Sequence, residues 1–275
     1  MVTQEQRKRQ LAREKFLRQQ QRRTSARRKA RMRNSVIASV LGVIVIGSVA
    51  LYTSGVMKND DKSNASADVT PSASATSKAP DPCAKPAAGK IKTATWKKEP
   101  AVTIDKSAKY TMKLATTCGD IDIALKTSAA PHTVNSFNFL AGKGFFDHTK
   151  CHRLTTSGIY VLQCGDPTGA GTGGPGYTIP DENLKDTSLK GGTYPAGTVA
   201  MANTGQKHTG GSQFFLVYKN STLPASYTPF GTISASGMKV LNKIAAAGAQ
   251  AADATTGNTA PNATVVINKA TVTKS

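Results

Sequence analysis

Four histidines, His132, His148, His152 and His208, are the obvious candidates for proton transfer or metal binding in this chain. None belongs to an H-E-x-x-H pattern, so the helical zinc arrangement is absent. Ser212 lies in the run GGSQF (210–214), which lacks the closing Gly of a nucleophile elbow. The Gly-rich run GDPTGAGTGGPGY (165–177) lacks the Gly-Lys-Ser/Thr ending that holds nucleotide phosphates. Asp120 and Asp122 alternate on one strand face and read as surface groups. The four cysteines, Cys83, Cys118, Cys151 and Cys164, contain no C-x-x-C pair, which argues against a zinc knuckle or a redox motif. No metal and no cofactor are expected.

A second group has a different chemistry. Arg153, Gln163, Asn203 and Gln213 are hydrogen-bonding side chains, and Tyr160 and Phe215 are aromatic neighbours on the same segments. There is no nucleophile among them. Such a surface suits a peptide that is held rather than cleaved. Arg153 stands out because residues 83–275 contain 19 Lys and this single Arg. A guanidinium is a rigid planar fork of donors, which an ammonium is not. The bland reading of Arg153 is a surface ion pair.

Short elements position these groups. YTMKLATT from Tyr110 and DIDIAL from Asp120 alternate apolar and polar residues, with Cys118-Gly119 between them as a hairpin turn. Pro131 opens a helix whose Val134, Phe137 and Leu140 fall at helical spacing, and Gly142 suits its end. CHRLTTSGIYVLQC (151–164) reads as two strands around Ser157-Gly158. TVAMAN from Thr198, QFFLVY from Gln213 and TVVINKATV from Thr264 are further strands, and MKVLNKIAAA from Met238 is a second helix. Many short strands with two helices predict a mainly β fold, a small barrel or sandwich with helical caps.

The chain divides by composition. Its formal net charge of +20 is uneven. Residues 1–34 hold 13 Lys/Arg against two acids and read as a basic cytoplasmic segment, whereas the scattered Lys of 83–275 reads as a solvated surface. No nucleic-acid partner is expected. Residues 35–57 carry no charge over 23 positions. That length crosses a hydrocarbon layer of about 30 Å at about 1.5 Å per residue. With the basic residues ahead of it, this span predicts a single-pass helix in the cell membrane, the N-terminus cytoplasmic and the bulk outside. Residues 58–82 are small and polar and read as a flexible tether. Residues 83–109 form an irregular lead-in, and 110–275 the folded domain. All four cysteines follow the apolar span, as expected for disulfides in an oxidising compartment. Cys151 and Cys164 sit at the outer ends of a predicted hairpin and can face each other, which leaves Cys83 for Cys118. The alternative is four buried thiols.

The ordered runs CHRL (151–154), LQCGDPTG (162–169), GTGG (171–174), VAMANTG (199–205) and GSQFF (211–215) resemble the signature blocks of cyclophilins. The resemblance covers about Tyr110 to Val272 and is finest to membrane-anchored extracytoplasmic bacterial members. It implies a closed eight-stranded antiparallel barrel capped by two helices, and peptidyl-prolyl cis-trans isomerase activity on proline-containing folding clients. It implies Arg153 and Gln213 as catalytic residues; nothing in the sequence suggests more than a monomer. Tyr160, Val161, Phe215 and Leu223 are implied as the proline pocket, with Tyr227 beside it. Gln163 is implied as a positioning group, Ala202, Asn203 and Thr204 as the strand that meets the substrate backbone, and Gly171 as a loop position beside the site. There are departures. Two extra residues lengthen the turn between Arg153 and Gln163. Tyr160 replaces a frequent Phe, Thr222 replaces a frequent Trp, and Tyr227 replaces a frequent His. Loss of that indole removes a contact that cyclosporin uses in the family. The competing reading is a module that binds proline segments without turnover.

Overall fold

The computed structural model describes residues 80–253 and 258–275. The basic segment 1–34, the apolar span 35–57 and most of the tether therefore lie outside the described residues. Among the described residues, no helix is long and apolar enough to cross a membrane.

The first hairpin follows its apolar alternation. In β1 (Tyr110–Thr116), Tyr110, Met112, Leu114 and Thr116 point inward, and in β2 (Gly119–Leu125) so do Ile121, Ile123 and Leu125. The register Thr116↔Gly119 closes a tight turn, and Gly119 has φ +127, a conformation that side-chain-bearing residues rarely adopt. The long C-terminal strand β11 (Val266–Lys274) pairs with the other edge of β1.

The remaining strands extend this pair into one nine-stranded antiparallel sheet. They are β3 (Thr149–Lys150), β4 (Arg153–Leu154), β5 (Val161–Cys164), β7 (Thr198–Met201), β8 (Phe214–Val217) and β10 (Pro229–Ile233). Their order is β3-β11-β1-β2-β10-β7-β8-β5-β4. A separate ribbon joins β6 (Thr193–Tyr194) to β9 (Ser221–Thr222). The expected eight-stranded closed barrel is thus a curled nine-stranded sheet, whose end strands β3 and β4 are not paired with each other. The ends of the long predicted strands are clipped by turns, and β10 went unread because its PFGTI lacks clear alternation.

Two helices lie against the sheet. Helix α1 (Pro131–Gly142) buries Val134, Phe137 and Leu140 completely. Its orphan amides are satisfied from far along the chain: Glu182 accepts from the N–H of His132 at 3.0 Å and of Thr133 at 2.9 Å. A carboxylate there also meets the positive end of the helix dipole. Helix α2 (Ala235–Ala246) is capped by Ser234, whose hydroxyl accepts from the Gly237 N–H at 3.0 Å. The interior is aromatic at its centre, where Phe137 packs on Phe230, Phe146 and Phe214 at 4.5, 5.2 and 5.4 Å between rings.

Residues 80–109 form neither helix nor strand and run along the domain as a strap. Disulfides join Cys83 to Cys118 and Cys151 to Cys164, the pairing read from the hairpin ends, and no described cysteine is free.

Candidate active site

Strand register brings the polar group together. Arg153 on β4 stands opposite Gln163 on β5, Gln163 stands opposite Phe215 on β8, and Phe215 stands opposite Ala200 on β7. Side chains on one rung share a face. The Arg153 Nη1 donates to Gln163 Oε1 at 3.2 Å, and Gln163 Nε2 donates to Gln213 Oε1 at 2.9 Å. Gln213 Nε2 then donates to the Gly173 carbonyl at 2.9 Å. This chain of donors orients the guanidinium and ties it to the Gly-rich loop.

Beside Arg153 lies a cavity of about 120 Å³, lined by Arg153, Ile159, Val161, Gln163, Ala202, Asn203, Phe215, Leu223 and Tyr227. Its floor is a small apolar cluster of Val161, Tyr194, Ala200, Phe215 and Val217, separate from the main core. The segment 221–227 is fixed over it by Tyr194, whose hydroxyl donates to the Tyr227 carbonyl at 2.8 Å and accepts from the Tyr227 N–H at 3.2 Å. The Phe215 and Tyr227 rings meet edge to face at 5.5 Å. Among the described residues, neither the N–H nor the C=O of Asn203 has a hydrogen-bond partner. Its side chain does, bonding the Ser226 carbonyl and the Gly205 N–H. A peptide laid along residues 202–204 thus finds both kinds of backbone group open.

One expected pocket residue is placed elsewhere. The Tyr160 ring faces Tyr218 at 5.8 Å, with the Lys219 ammonium 4.7 Å from its centre, and it does not line the cavity. The cause is the two-residue period of a strand. Val161 points in, so Tyr160 points out and Ile159 points in. The longer turn supplies that inward residue, with Ser157 and Ile159 bridged across the bend. Counting back from Val161 in steps of two would have found it.

A wider groove of about 1000 Å³ adjoins the cavity and shares Gln163, Ala202 and Asn203 with it. Thr204 and Gly171 line this groove rather than the cavity. Its loop is built around Asp166, which is fully buried. Burial works to raise the Asp166 pKa, but hydrogen bonds from the N–H groups of Gly173, Thr168 and Gly171 and from the Thr168 hydroxyl outweigh it. The carboxyl is held below its usual range and stays ionised. Gly173 is required here, since a Cβ would lie 2.1 Å from an Asp166 carboxylate oxygen. Next to Arg153, the buried His152 has its pKa lowered, first by burial and further by the Arg153 and Lys150 charges, against the pull of Asp166. It is therefore neutral near pH 7.

Lys97, Lys98 and Glu99 of the strap form one wall of the groove. Nothing in their local sequence marks them; a disulfide and the contacts that the neighbouring Trp96 makes with Pro175 and Phe139, far along the chain, put them there. Among the described residues, no cluster of His, Cys, Asp and Glu could hold a metal ion. The site contains a fixed cation donor, an apolar hole and free backbone groups, without a nucleophile beside them.

The family model "Cyclophilin type peptidyl-prolyl cis-trans isomerase/CLD" matches residues 111–272. The "Probable peptidyl-prolyl cis-trans isomerase B" of Mycobacterium leprae is 47% identical over 197 residues, which cover 69% of this chain and 61% of that protein. The protein of the same name in Mycobacterium tuberculosis is 50% identical over 149 residues, 51% of this chain and 48% of that one. The "Peptidyl-prolyl cis-trans isomerase B" of Bacillus subtilis is 44% identical over 115 residues, 42% of this chain and 76% of that one. The chain thus spans about half to three fifths of the two mycobacterial relatives' length. With a match that reaches from β1 into β11 and takes in both helices, this chain belongs to the cyclophilin-type peptidyl-prolyl cis-trans isomerase family.

Proposed function

We propose that this chain accelerates cis-trans isomerisation of X-Pro bonds in unfolded or partly folded polypeptides. One observation carries the reading: the single described Arg sits at the rim of a proline-sized apolar cavity, oriented by Gln163. Resonance gives the amide a barrier of about 18–20 kcal/mol, and uncatalysed X-Pro exchange takes about tens to hundreds of seconds. Rotation breaks that resonance and returns a lone pair to the proline nitrogen. A donor that meets the lone pair stabilises the twisted amide more than the planar one, which is the condition for catalysis. Arg153 supplies that donor without transferring a proton. Phe215, Val161, Leu223 and Ile159 hold the ring, with Tyr227 at the edge. Gln163 and Gln213 fix the guanidinium, and Asn203 with Ala202 and Thr204 holds the peptide backbone. Gly171 shapes the loop beside them.

The finer reading follows from the sequence. Residues 35–57 anchor the chain in the cytoplasmic membrane with 1–34 inside and the domain outside, acting as a monomer on exported clients. The two disulfides support an oxidising compartment. The curled sheet acts as a closed barrel, because residues 149–154 run from β3 to β4 and carry bonds to both flanking strands, Cys151 N–H to Val265 and His152 N–H to Gln163. The test is X-Pro exchange in a short proline peptide with a catalytic amount of the full chain. Exchange far faster than the spontaneous rate is expected. A spontaneous rate in the presence of folded protein would replace this reading with a binding module.

A further inference from the structure

One wall of the wide groove comes from outside the family's matched stretch. Lys97, Lys98 and Glu99 belong to the strap, whereas the match begins at residue 111. The strap is fixed on both sides of them. Upstream, the Trp96 N–H donates to the Pro175 carbonyl at 2.8 Å, and the Trp96 ring meets Phe139 edge to face at 5.1 Å. Gly176, with φ +86, lets the two backbones touch, since a Cβ there would lie 2.9 Å from the Trp96 carbonyl oxygen. Downstream, Asn135 accepts from the Thr103 N–H at 3.1 Å and donates to the Ala101 carbonyl at 3.0 Å. The Cys83–Cys118 disulfide ties the start of the strap to the first hairpin.

This clamped backbone places two exposed lysines, Lys97 and Lys98, in the wall of the groove. Among the described residues neither has a carboxylate partner. Glu99, the one acid on that wall, is engaged by His132 Nδ1 at 2.7 Å. The buried Asp166 behind the opposite loop is saturated by its own hydrogen bonds. Hydrogen bonds do not cancel these charges, but the residues that line the groove itself include two cations, Lys97 and Lys98, against one anion, Glu99, so the lining carries one net positive charge. Gln163, Ala202 and Asn203 line both compartments, so a chain with its proline in the cavity continues into the groove. At about 3.3 Å per extended residue, the three residues on one side of the proline span about 10 Å into the groove whose wall carries the lysines.

We propose that the strap makes this site selective for polypeptides that carry Asp or Glu within about three residues of the proline, with Lys97 and Lys98 as the selecting groups. The inference rests on the proposed function for its proline but not for its charge preference. Exposed ion pairs are individually weak and screened by salt. Two of them favour an acidic peptide by about threefold to tenfold.

The test uses the full chain and pairs of proline peptides that differ only in Glu against Gln, at each of the three positions on either side of the proline. Affinity and X-Pro exchange are both measured. At least one position should bind Glu about threefold to tenfold more tightly, with the ratio falling towards one in Lys97→Gln/Lys98→Gln and at about 1 M salt. Both side chains are exposed, so the double variant keeps the fold. Equal binding of Glu and Gln peptides at every position would overturn the proposal, and so would a preference that survives in the double variant. Exchange of the Gln peptides reports separately on the isomerase reading: its absence would remove that reading, while the affinity ratio would still decide the strap's role.

Discussion

The two compartments of the site share three residues and differ in almost everything else. The smaller, about 120 Å³, is apolar, rests on a packed cluster and has Arg153 at its edge. The larger, about 1000 Å³, is lined by glycines, polar groups and exposed lysines. Strand register builds the first, because Arg153, Gln163 and Phe215 lie on one rung across three neighbouring strands. Loops and a disulfide-tied strap build the second. The difference separates two tasks. A reaction that needs only differential stabilisation of a twisted amide belongs where the geometry is rigid. Choice among neighbouring sequences belongs where the wall comes from surface segments that vary without disturbing the sheet.

Changes in the small cavity should have the largest effects. Phe215→Ala removes a ring that is 5% exposed and packs on Tyr194 and Tyr227. It should cost about 3 kcal/mol of stability and about a hundredfold in exchange, read by thermal melting and by peptide exchange. A variant as active as the parent would mean that the cavity does not hold the proline. Freeing the strap comes next. Cys83→Ser/Cys118→Ser opens a link with a sequence separation of 35 and should lower stability by about 3 kcal/mol in denaturant unfolding. An unchanged midpoint would show that the strap docks without its disulfide.

Gln163→Ala should lower exchange by about tenfold while proline-peptide affinity changes less, because it loosens the guanidinium without emptying the pocket. Equal losses in affinity and exchange would make Gln163 a binding group instead. The smallest effect concerns pH. The folded pKa of His152 is depressed by burial, so the unfolded chain binds a proton there that the folded chain refuses. Its contribution to stability is full above the unfolded value of about 6.5 and is lost as pH falls from there towards the folded pKa. His152→Gln should show a shallower decline in melting temperature below about pH 6.5 than the parent. Identical declines would remove His152 from the acid response.

The sequence was most readable where period and register act over short distances. The Tyr110 hairpin, helix α1 and the disulfide between Cys151 and Cys164 follow from alternation, helical spacing and a turn. Arg153, Gln163 and Gln213 were visible as residue types, and the family blocks set their order. Tyr160 faces Tyr218 instead of the cavity because it alternates with the inward Val161, so adjacency in sequence to a pocket residue puts its ring on the other side. The strap's lysines were unreadable, since Trp96 finds Pro175 across 79 residues of chain and no local pattern encodes that contact. Strand β10 was missed for a related reason: the sheet, not its own PFGTI, selects its conformation.

The most direct measurement is X-Pro exchange and affinity for one proline peptide, compared between the parent chain and Arg153→Ala. The account predicts affinity within a few-fold and exchange reduced by about 100- to 1000-fold, the usual loss when one transition-state donor is removed. Exchange that persists in Arg153→Ala would contradict it.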